Sequence, residues 1–372
     1  MAEIRVHNLH KAFADFVAVK SSNFVVEDGE FFCLLGPSGC GKTTTLRMIA
    51  GLELPSSGEI FLGGEDVTFK RASKRDIAFV FQLFALYPHM NVRQNIAFPL
   101  VSQGLRRAEI EQRVADAART LQITHLLKQS VNGLSSGDRQ RVALGRAIVR
   151  KPLAFMMDEP LGALDAEFRE LMCEELRNLH DRLGATTVYV THDQREAMSM
   201  ADKIAIMNQG TVEQLGTPQE VYERPASVFV AEFVGAPAMG FLPFGAGLAM
   251  NTTSAVVCGQ SITVPALREE VSERELLLGI RPENVRLVDA APLRAQVLST
   301  EYLGVKQIVL LTTANGATLR AKIAADQHVS RGEHVGLEFD SAALSLFDKA
   351  SGRALRTARY DTDLTARGVS HG

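Results

Sequence analysis

A chain of 372 residues exceeds one ordinary domain and leaves room for two, and at 46% hydrophobic and 22% charged it can bury a sizeable core. Its formal net charge of −3 excludes a nucleic-acid binder that relies on an overall basic field. The four cysteines, Cys33, Cys40, Cys173 and Cys258, show no metal-ligand spacing and fit a reducing compartment.

At the N-terminus, MAEIRVHNLHKAF alternates polar and apolar residues and lacks the apolar core of an export signal. No apolar run approaches the roughly 20 residues of a membrane-spanning helix, so any work at a membrane needs the span of another chain. Ile4 to Leu9, Val17 to Phe24 and Phe31 to Leu35 read as strands, and Lys42 to Ala50 as a helix.

Between that third strand and that helix lies Gly36-Pro37-Ser38-Gly39-Cys40-Gly41-Lys42-Thr43, followed by Thr44. The spacing is that of a glycine-rich loop whose backbone N–H groups cradle phosphates, whose lysine meets their charge and whose hydroxyl, on Thr43, holds Mg²⁺. The strand leading in and the helix leading out are the context the motif requires, because the helix presents free N–H groups and its positive dipole end to an anion. A nucleotide with Mg²⁺ is the expected ligand, as in kinases, GTPases, motors and many ATPases, between which the remaining residues decide.

Ile77 to Phe81 reads as a further strand, ending at Gln82. From about Leu83 to Lys151 the pattern is mostly helical, with Ile110, Val114, Ala117 and Leu121 on one face, and reads as an inserted helical segment. The apolar run Leu153 to Met157 then ends in Asp158-Glu159-Pro160, placing two carboxylates at the carboxyl edge of a buried strand, where α/β proteins put chemistry. Asp158 is suited to hold Mg²⁺ through its water shell, and Glu159 to act as general base on the attacking water.

Asp165 to Leu183 places Phe168, Leu171, Met172, Leu176, Leu179 and Leu183 on one helical face, predicting a core-facing helix. Thr186 to Thr191 is a β-branched strand ending at His192, and Asp193 with Glu196 predicts a capping box that starts the next helix. Near Gly235 the texture changes, and a domain boundary is expected there: an α/β domain over 1–235, with its helical subdomain over about 83–151, and a second domain over 236–372. Beyond it Ile262 to Val264, Leu276 to Ile280, Val285 to Val288, Val305 to Leu311, Ala317 to Ile323 and Val335 to Phe339 read as short strands of a small β-barrel, and Ser351 to Gly372 as a loose tail.

Leu134-Ser135-Ser136-Gly137-Asp138-Arg139-Gln140-Arg141, taken with Gln82, Asp158-Glu159, Asp165 and His192 in this order, resembles the nucleotide-binding subunit of ABC transporters. The resemblance covers Ile4 to about Gly235 and implies an α/β P-loop NTPase with a RecA-like core and a helical insertion. In that family an LSGGQ-type signature from one subunit closes over ATP held by the phosphate loop of another, so a second copy of this chain is the expected partner, supplying Ser135, Ser136, Gly137 and Asp138. Gln82 becomes a ligand of Mg²⁺ and water that senses the γ-phosphate, His192 a hydrogen-bond partner of that phosphate, and Phe13 the ring on which adenine stacks, with Phe16 close enough to serve instead. The segment Leu161-Gly162-Ala163-Leu164-Asp165 resembles the one that crosses the dimer interface. Ser136 stands where the family usually has glycine, Asp138 where it has glutamine, and Gly162 where it often has serine.

Further along, Gly279-Ile280-Arg281-Pro282-Glu283-Asn284-Val285 looks like the GIRPE motif of the oligonucleotide-fold regulatory domain on carbohydrate-type importer ATPases. Gly216 to Tyr222, Arg224-Pro225, Phe229 to Ala231 and Phe233 also resemble the maltose and glycerol-phosphate importer ATPases. The implied whole is an ATPase at the cytoplasmic face of the inner membrane, working on two permease subunits and, through them, with an extracytoplasmic solute-binding protein. The segment Leu83 to Asn95, with Phe84, Leu86, Tyr87, Pro88 and His89, is expected to help form the groove for a permease helix. No nucleic acid is expected, since the C-terminal region lacks an aromatic and basic stripe. An ABC ATPase of DNA repair or translation would show heptad arms or two heads in one chain, and an ATP-holding module without turnover would lack Glu159 or His192; neither description fits.

Overall fold

The computed structural model describes residues 2–82, 85–162 and 164–361 and divides into two units, Met1–Pro218 and Gln219–Gly372. In chain order the first contains β1 (Ile4–Phe13), β2 (Phe16–Val26), β3 (Phe31–Leu35), α1 (Lys42–Ala50), β4 (Ser57–Leu62), β5 (Glu65–Asp66) and β6 (Ile77–Val80). Three helices follow, α2 (Val92–Ser102), α3 (Arg107–Thr120) and α4 (Ser136–Ile148). The chain then returns through β7 (Ala154–Asp158), α5 (Ala166–Leu183), β8 (Thr186–Thr191), α6 (Gln194–Met200), β9 (Lys203–Asn208) and β10 (Thr211–Gly216).

A six-stranded sheet has the order β10-β9-β3-β8-β7-β6, with every neighbouring pair parallel except β10 and β9. All residues of β3, β7 and β8 are buried, as strands covered on both faces must be, which is why they read as unbroken apolar or β-branched runs. The antiparallel sheet β2-β1-β4-β5 shares an apolar cluster with it that includes Ile4, Val19, Leu34, Leu46, Ile60 and Met156. Four parallel strands, β3, β6, β7 and β8, thus deliver their following loops to one edge.

Helix α1 is held at its far end by Arg75, which is 1% exposed. Its guanidinium donates to the carbonyls of Met48 and Ile49 at 2.7 and 2.8 Å, of Thr68 at 2.9 Å and of Lys70 at 2.8 Å. The first two are end-of-helix acceptors; Met48 also accepts from the N–H of the capping Gly51 at 3.1 Å. In the helical segment, Asn95 is fully buried and pins the preceding loop: its side chain accepts from the Tyr87 N–H and donates to the carbonyls of Tyr87, Met90 and Asn91. Ile110, Val114, Ala117 and Leu121 are buried, matching the face predicted for α3.

Helix α5 differs in detail from its prediction. Met172, Leu176 and Leu179 are buried, but Leu171 and Leu183 are 46% and 37% exposed, and Cys173 and His180 take the inward positions instead. The true buried stripe is thus displaced from the predicted one. His180 bonds to Thr187 at 3.1 Å and packs edge-on against Phe31, so a residue with no apolar signal fills a core position.

The second unit opens with α7 (Pro218–Glu223) and α8 (Val228–Phe233). Its strands are β11 (Gly240–Leu248), β12 (Ser254–Val257), β13 (Gln260–Thr263), β14 (Val271–Ile280), β15 (Val285–Val288), β16 (Arg294–Tyr302), β17 (Lys306–Thr313), β18 (Thr318–Ala324), β19 (His334–Phe339) and β20 (Ser345–Asp348). They form sheets in the orders β11-β14-β20, β12-β13 and β15-β19-β16-β17-β18. The edge strands of the five-stranded sheet, β15 and β18, also approach one another, so that sheet is curled around the apolar cluster containing Val285, Val297, Val309, Leu319 and Leu337.

Two boundaries differ from those read in the sequence. The division falls at Pro218 and Gln219 rather than after Gly235, because the buried guanidinium of Arg281 fastens both short helices to the β-rich unit. It donates to the carbonyls of Tyr222 at 2.8 Å, of Ala231 at 3.1 Å and of Val234, and lies 4.2 Å from the Tyr222 ring centre. The segment read as a loose tail is packed as far as Asp361, with Leu355 and Thr357 each 1% exposed and Arg359 bonded to Ala343 and Ser345; residues 362–372 lie outside the described residues. Among the described residues no helix is long and apolar enough to cross a membrane.

Candidate nucleotide site

The loop 36–41 leaves the buried end of β3 and turns into α1 through Gly41, whose φ of 105° suits glycine alone. A Cβ on Gly41 would also lie 2.4 Å from the Ala18 carbonyl oxygen, so β2 presses directly on the loop. No side chain caps the first turn of α1, which leaves its N–H groups available to an anion. Lys42 is 4% exposed, and its Nζ curls over the loop to donate to the carbonyls of Gly36 and Pro37 at 2.8 and 2.9 Å. Ser38 and Gly39 are exposed at the top of the loop, whereas Cys40 is buried and its thiol pKa is pushed up by that burial.

Thr43 and Asp158 meet across the junction of α1 and β7, the threonine Oγ1 donating to Asp158 Oδ1 at 2.9 Å. Burial raises the Asp158 pKa, and the Thr43 hydrogen bond works in the opposite direction. A desolvated carboxylate facing a hydroxyl is a hard-oxygen pair, the chemistry that Mg²⁺ accepts when phosphate oxygens and water complete its shell.

Glu159 follows at φ 44°, a left-handed conformation unusual for a glutamate, with its N–H still bonded to the Val190 carbonyl of β8 at 3.0 Å. That turn directs its side chain toward the neighbouring strand ends. Glu159 Oε2 lies 3.3 Å from His192 Nδ1 and 3.4 Å from Gln82 Nε2. Residues predicted separately, beyond the ends of β6 and β8, thus both come within hydrogen-bonding reach of Glu159 at the end of β7. The capping box predicted after His192 does not form: Asp193 caps the N–H of Arg195 at 2.8 Å, and Glu196 instead turns inward, where it accepts from the Tyr189 hydroxyl at 2.8 Å.

Phe13 is 43% exposed at the end of the β1–β2 hairpin, paired across it with Phe16 at 60%, and the Lys11 ammonium lies 4.6 Å from its ring centre. Ala18 of the same hairpin touches Gly41, so the hairpin that carries both open rings packs against the phosphate loop. Of the segment expected at a dimer interface, Gly162 is exposed and a Cβ there would make only ordinary contacts, so serine would fit; Ala163 lies outside the described residues.

Ser135, Ser136, Gly137 and Asp138 occupy a different place. Ser135 caps α4 by accepting from the Asp138 N–H at 3.1 Å, and its hydroxyl donates to Asp138 Oδ2 at 2.7 Å. A Cβ on Gly137 would lie 2.1 Å from the Phe168 ring, so glycine is required where α4 meets α5. Among the described residues no hydrogen bond or ion pair joins these four to the phosphate loop.

Other residues that line a cavity of about 560 Å³ in the first unit escaped sequence reading. Tyr87 was expected there; Phe79, Phe81, Phe98, Arg146 and Arg150 join it, with Arg146 donating to the Ala85 carbonyl at 2.6 Å and facing the Tyr87 ring at 5.5 Å. Phe79, Phe98 and Arg146 come from β6, α2 and α4, with Phe81 and Arg150 just beyond β6 and α4, and no local pattern connects them. Leu83 and Phe84 lie outside the described residues.

A family model described as ABC transporter matches residues 19–162, and one described as TOBE domain matches residues 278–347. The chain is 46% identical over 377 residues to the trehalose/maltose import ATP-binding protein MalK of Thermococcus litoralis, across 95% of this chain and 100% of that one. It is 44% identical over 358 residues to the sn-glycerol-3-phosphate import ATP-binding protein UgpC of Cereibacter sphaeroides, across 95% and 100% respectively. Among solved structures, dimeric MJ0796, a bacterial ABC transporter cassette, is similar with a TM-score of 0.52 at 30% identity, over 58% of this chain and 98% of that one. Likeness that runs through both units of the chain, and to the ends of its relatives, goes beyond a shared nucleotide module: the chain belongs to the ATP-binding subunits of ABC transporters, in the import branch, and it binds and hydrolyses ATP.

Proposed function

We propose that this chain powers uptake of a sugar, polyol, glycerol or glycerol-phosphate type solute, as two identical copies that close over ATP beneath two permease subunits at the cytoplasmic face of the membrane. The observation that carries the reading is the meeting of Glu159, His192 and Gln82 on one sheet edge, beside the Thr43–Asp158 pair. Glu159 takes the proton of the attacking water, and His192 and Gln82 orient it against the γ-phosphate. Lys42 exchanges its loop carbonyls for phosphate oxygens, and Phe13 offers its open face to adenine. Thr43, Asp158 and Gln82 are the residues that would hold Mg²⁺, which neutralises phosphate charge when bound. The 560 Å³ cavity beside Tyr87 is the place for a permease helix, and an extracytoplasmic binding protein acts only through the permease.

In this reading Ser135 to Asp138 complete the site of the other copy. Mixing Lys42→Ala with Ser135→Arg tests it. Each variant alone is expected to be inactive, and the mixture to regain part of the wild-type turnover, because a mixed pair retains one intact composite site. An inactive mixture of folded proteins that do associate would sink the shared site.

Asp138 gives that half-site an unusual character. Its carboxylate already accepts the Ser135 hydroxyl and adds negative charge where a triphosphate must approach. With the permease present, Asp138→Gln is expected to raise turnover about fivefold, the effect of relieving ~1 kcal/mol of like-charge repulsion at a partly solvated interface. Equal rates would remove Asp138 from control of turnover.

A further inference from the structure

Arg169 lies near the start of α5, where a positive charge opposes the helix dipole, so its placement has no local advantage. Its contacts lie elsewhere. Nη2 donates to the Leu164 carbonyl at 2.9 Å, Nη1 to Asp193 Oδ2 at 3.1 Å, and Nε faces the buried Glu196 carboxylate at 3.6 Å. Leu164 belongs to the segment leaving β7 just after Glu159, and Asp193 is the residue after His192. One planar side chain therefore spans the two loops from which Glu159 and His192 face each other. A guanidinium fixes two acceptors relative to one another more rigidly than an ammonium can. Arg195 also reaches Asp193, at 3.6 Å, but it is 64% exposed and has no bond to Leu164. On its other side Arg169 borders a cavity of about 450 Å³, together with Cys173, Arg177 and Ser199, so the side chain is not plugging a dry core.

We propose that Arg169 is a positioning residue for hydrolysis: by tying Leu164 to Asp193 it holds His192 in register with Glu159. The inference rests on Glu159 and His192 being the hydrolytic pair, and Arg169 itself never touches the nucleotide.

The test is a double-mutant cycle on the full chain with ATP and Mg²⁺, each rate normalised to the nucleotide-binding stoichiometry of the folded protein. Arg169→Met is expected to lower kcat by about tenfold to a hundredfold, the usual cost of a small displacement of reacting groups, with KM within about twofold of wild type. Arg169→Lys, which cannot bridge two acceptors in fixed geometry, should recover little of the loss. In a His192→Ala background Arg169→Met should add less than about a further twofold, because it acts through the residue already removed. A full multiplicative penalty in the double variant, or a raised KM at unchanged kcat, would overturn the role of Arg169 while leaving His192 in place. Wild-type turnover in His192→Ala would overturn the hydrolytic pair and this inference together. If Arg169→Met does not fold, the same cycle with Arg169→Lys decides between these outcomes.

Discussion

Replacing Glu159 by glutamine is expected to lower ATP turnover by about 10²–10⁴-fold while leaving nucleotide binding nearly unchanged, the range associated with loss of a general base. The substitution keeps the shape of the side chain and removes only its capacity to take a proton. Glu159 Oε2 faces His192 Nδ1 at 3.3 Å and Gln82 Nε2 at 3.4 Å, both polar groups able to hold a water against the same oxygen. The Glu159 carboxylate itself has no part in gripping phosphate, which in the proposed site falls chiefly to Lys42 and the N–H groups of α1. Binding and turnover should therefore separate. With hydrolysis blocked, ATP and Mg²⁺ should convert the variant to a stable dimer, visible as a doubled mass by light scattering, whereas ADP should not. Turnover within about twofold of wild type would remove Glu159 from the mechanism, since even a modest general base supplies more than that.

The largest expected loss of stability comes from Arg75, far from any reacting atom. Its buried guanidinium serves the carbonyls of Met48, Ile49, Thr68 and Lys70, and burial lowers its pKa to about 10. Truncation to methionine keeps much of the bulk but strands the carbonyls of Ile49, Thr68 and Lys70, each worth about 1–3 kcal/mol when left unsatisfied, with partial relief from water that reaches the gap, while Met48 keeps the Gly51 N–H. A net loss of ~3–5 kcal/mol is the expectation, which for a unit of this size lowers the melting temperature by about 10 °C. Lysine should restore less than half, since one ammonium cannot match a planar fork aimed at two segments. Because α1 begins at Lys42 and Thr43, loosening its far end should also weaken ATP binding before the unit melts. A melting temperature within about 2 °C of wild type would show that water replaces the guanidinium without cost.

These two residues stand at opposite ends of what can be read from a sequence. Glu159 announces itself, because an apolar run ending in two acids is a local pattern, and so does the phosphate loop from Gly36 to Thr44, whereas Gln82 and His192 take their roles from the family resemblance. Each sits at the carboxyl end of a parallel strand, and parallel strands must bring those ends to one edge; the structure accordingly brings His192 and Gln82 within hydrogen-bonding reach of Glu159. Arg75 gives no such signal, since its partners are backbone carbonyls up to 27 residues away, which any residue type supplies.

The misreadings have the same origin. Asp193 and Glu196 have the spacing of a capping box, but the Tyr189 hydroxyl and Arg169 drew Glu196 into the interior. The polarity of Ser351 to Asp361 suggested a tail, yet Arg359 and Leu355 find partners on the β-rich unit. Leu171 and Leu183 fit a helical stripe that the surrounding core did not adopt.

The proposed chemistry of this protein was legible along the chain: a phosphate-loop motif, two acids that follow a buried strand, and the order of motifs that marks an ABC ATPase. Such features reside in side chains and short backbone spacings, which survive without knowledge of the fold. Where the units divide, which arginines hold helix ends and loops in place, and that Ser135 is engaged by Asp138 emerged with the fold. Those depend on carbonyls and carboxylates brought together from distant segments, and periodicity along a chain carries no record of which distant acceptor a buried donor will find.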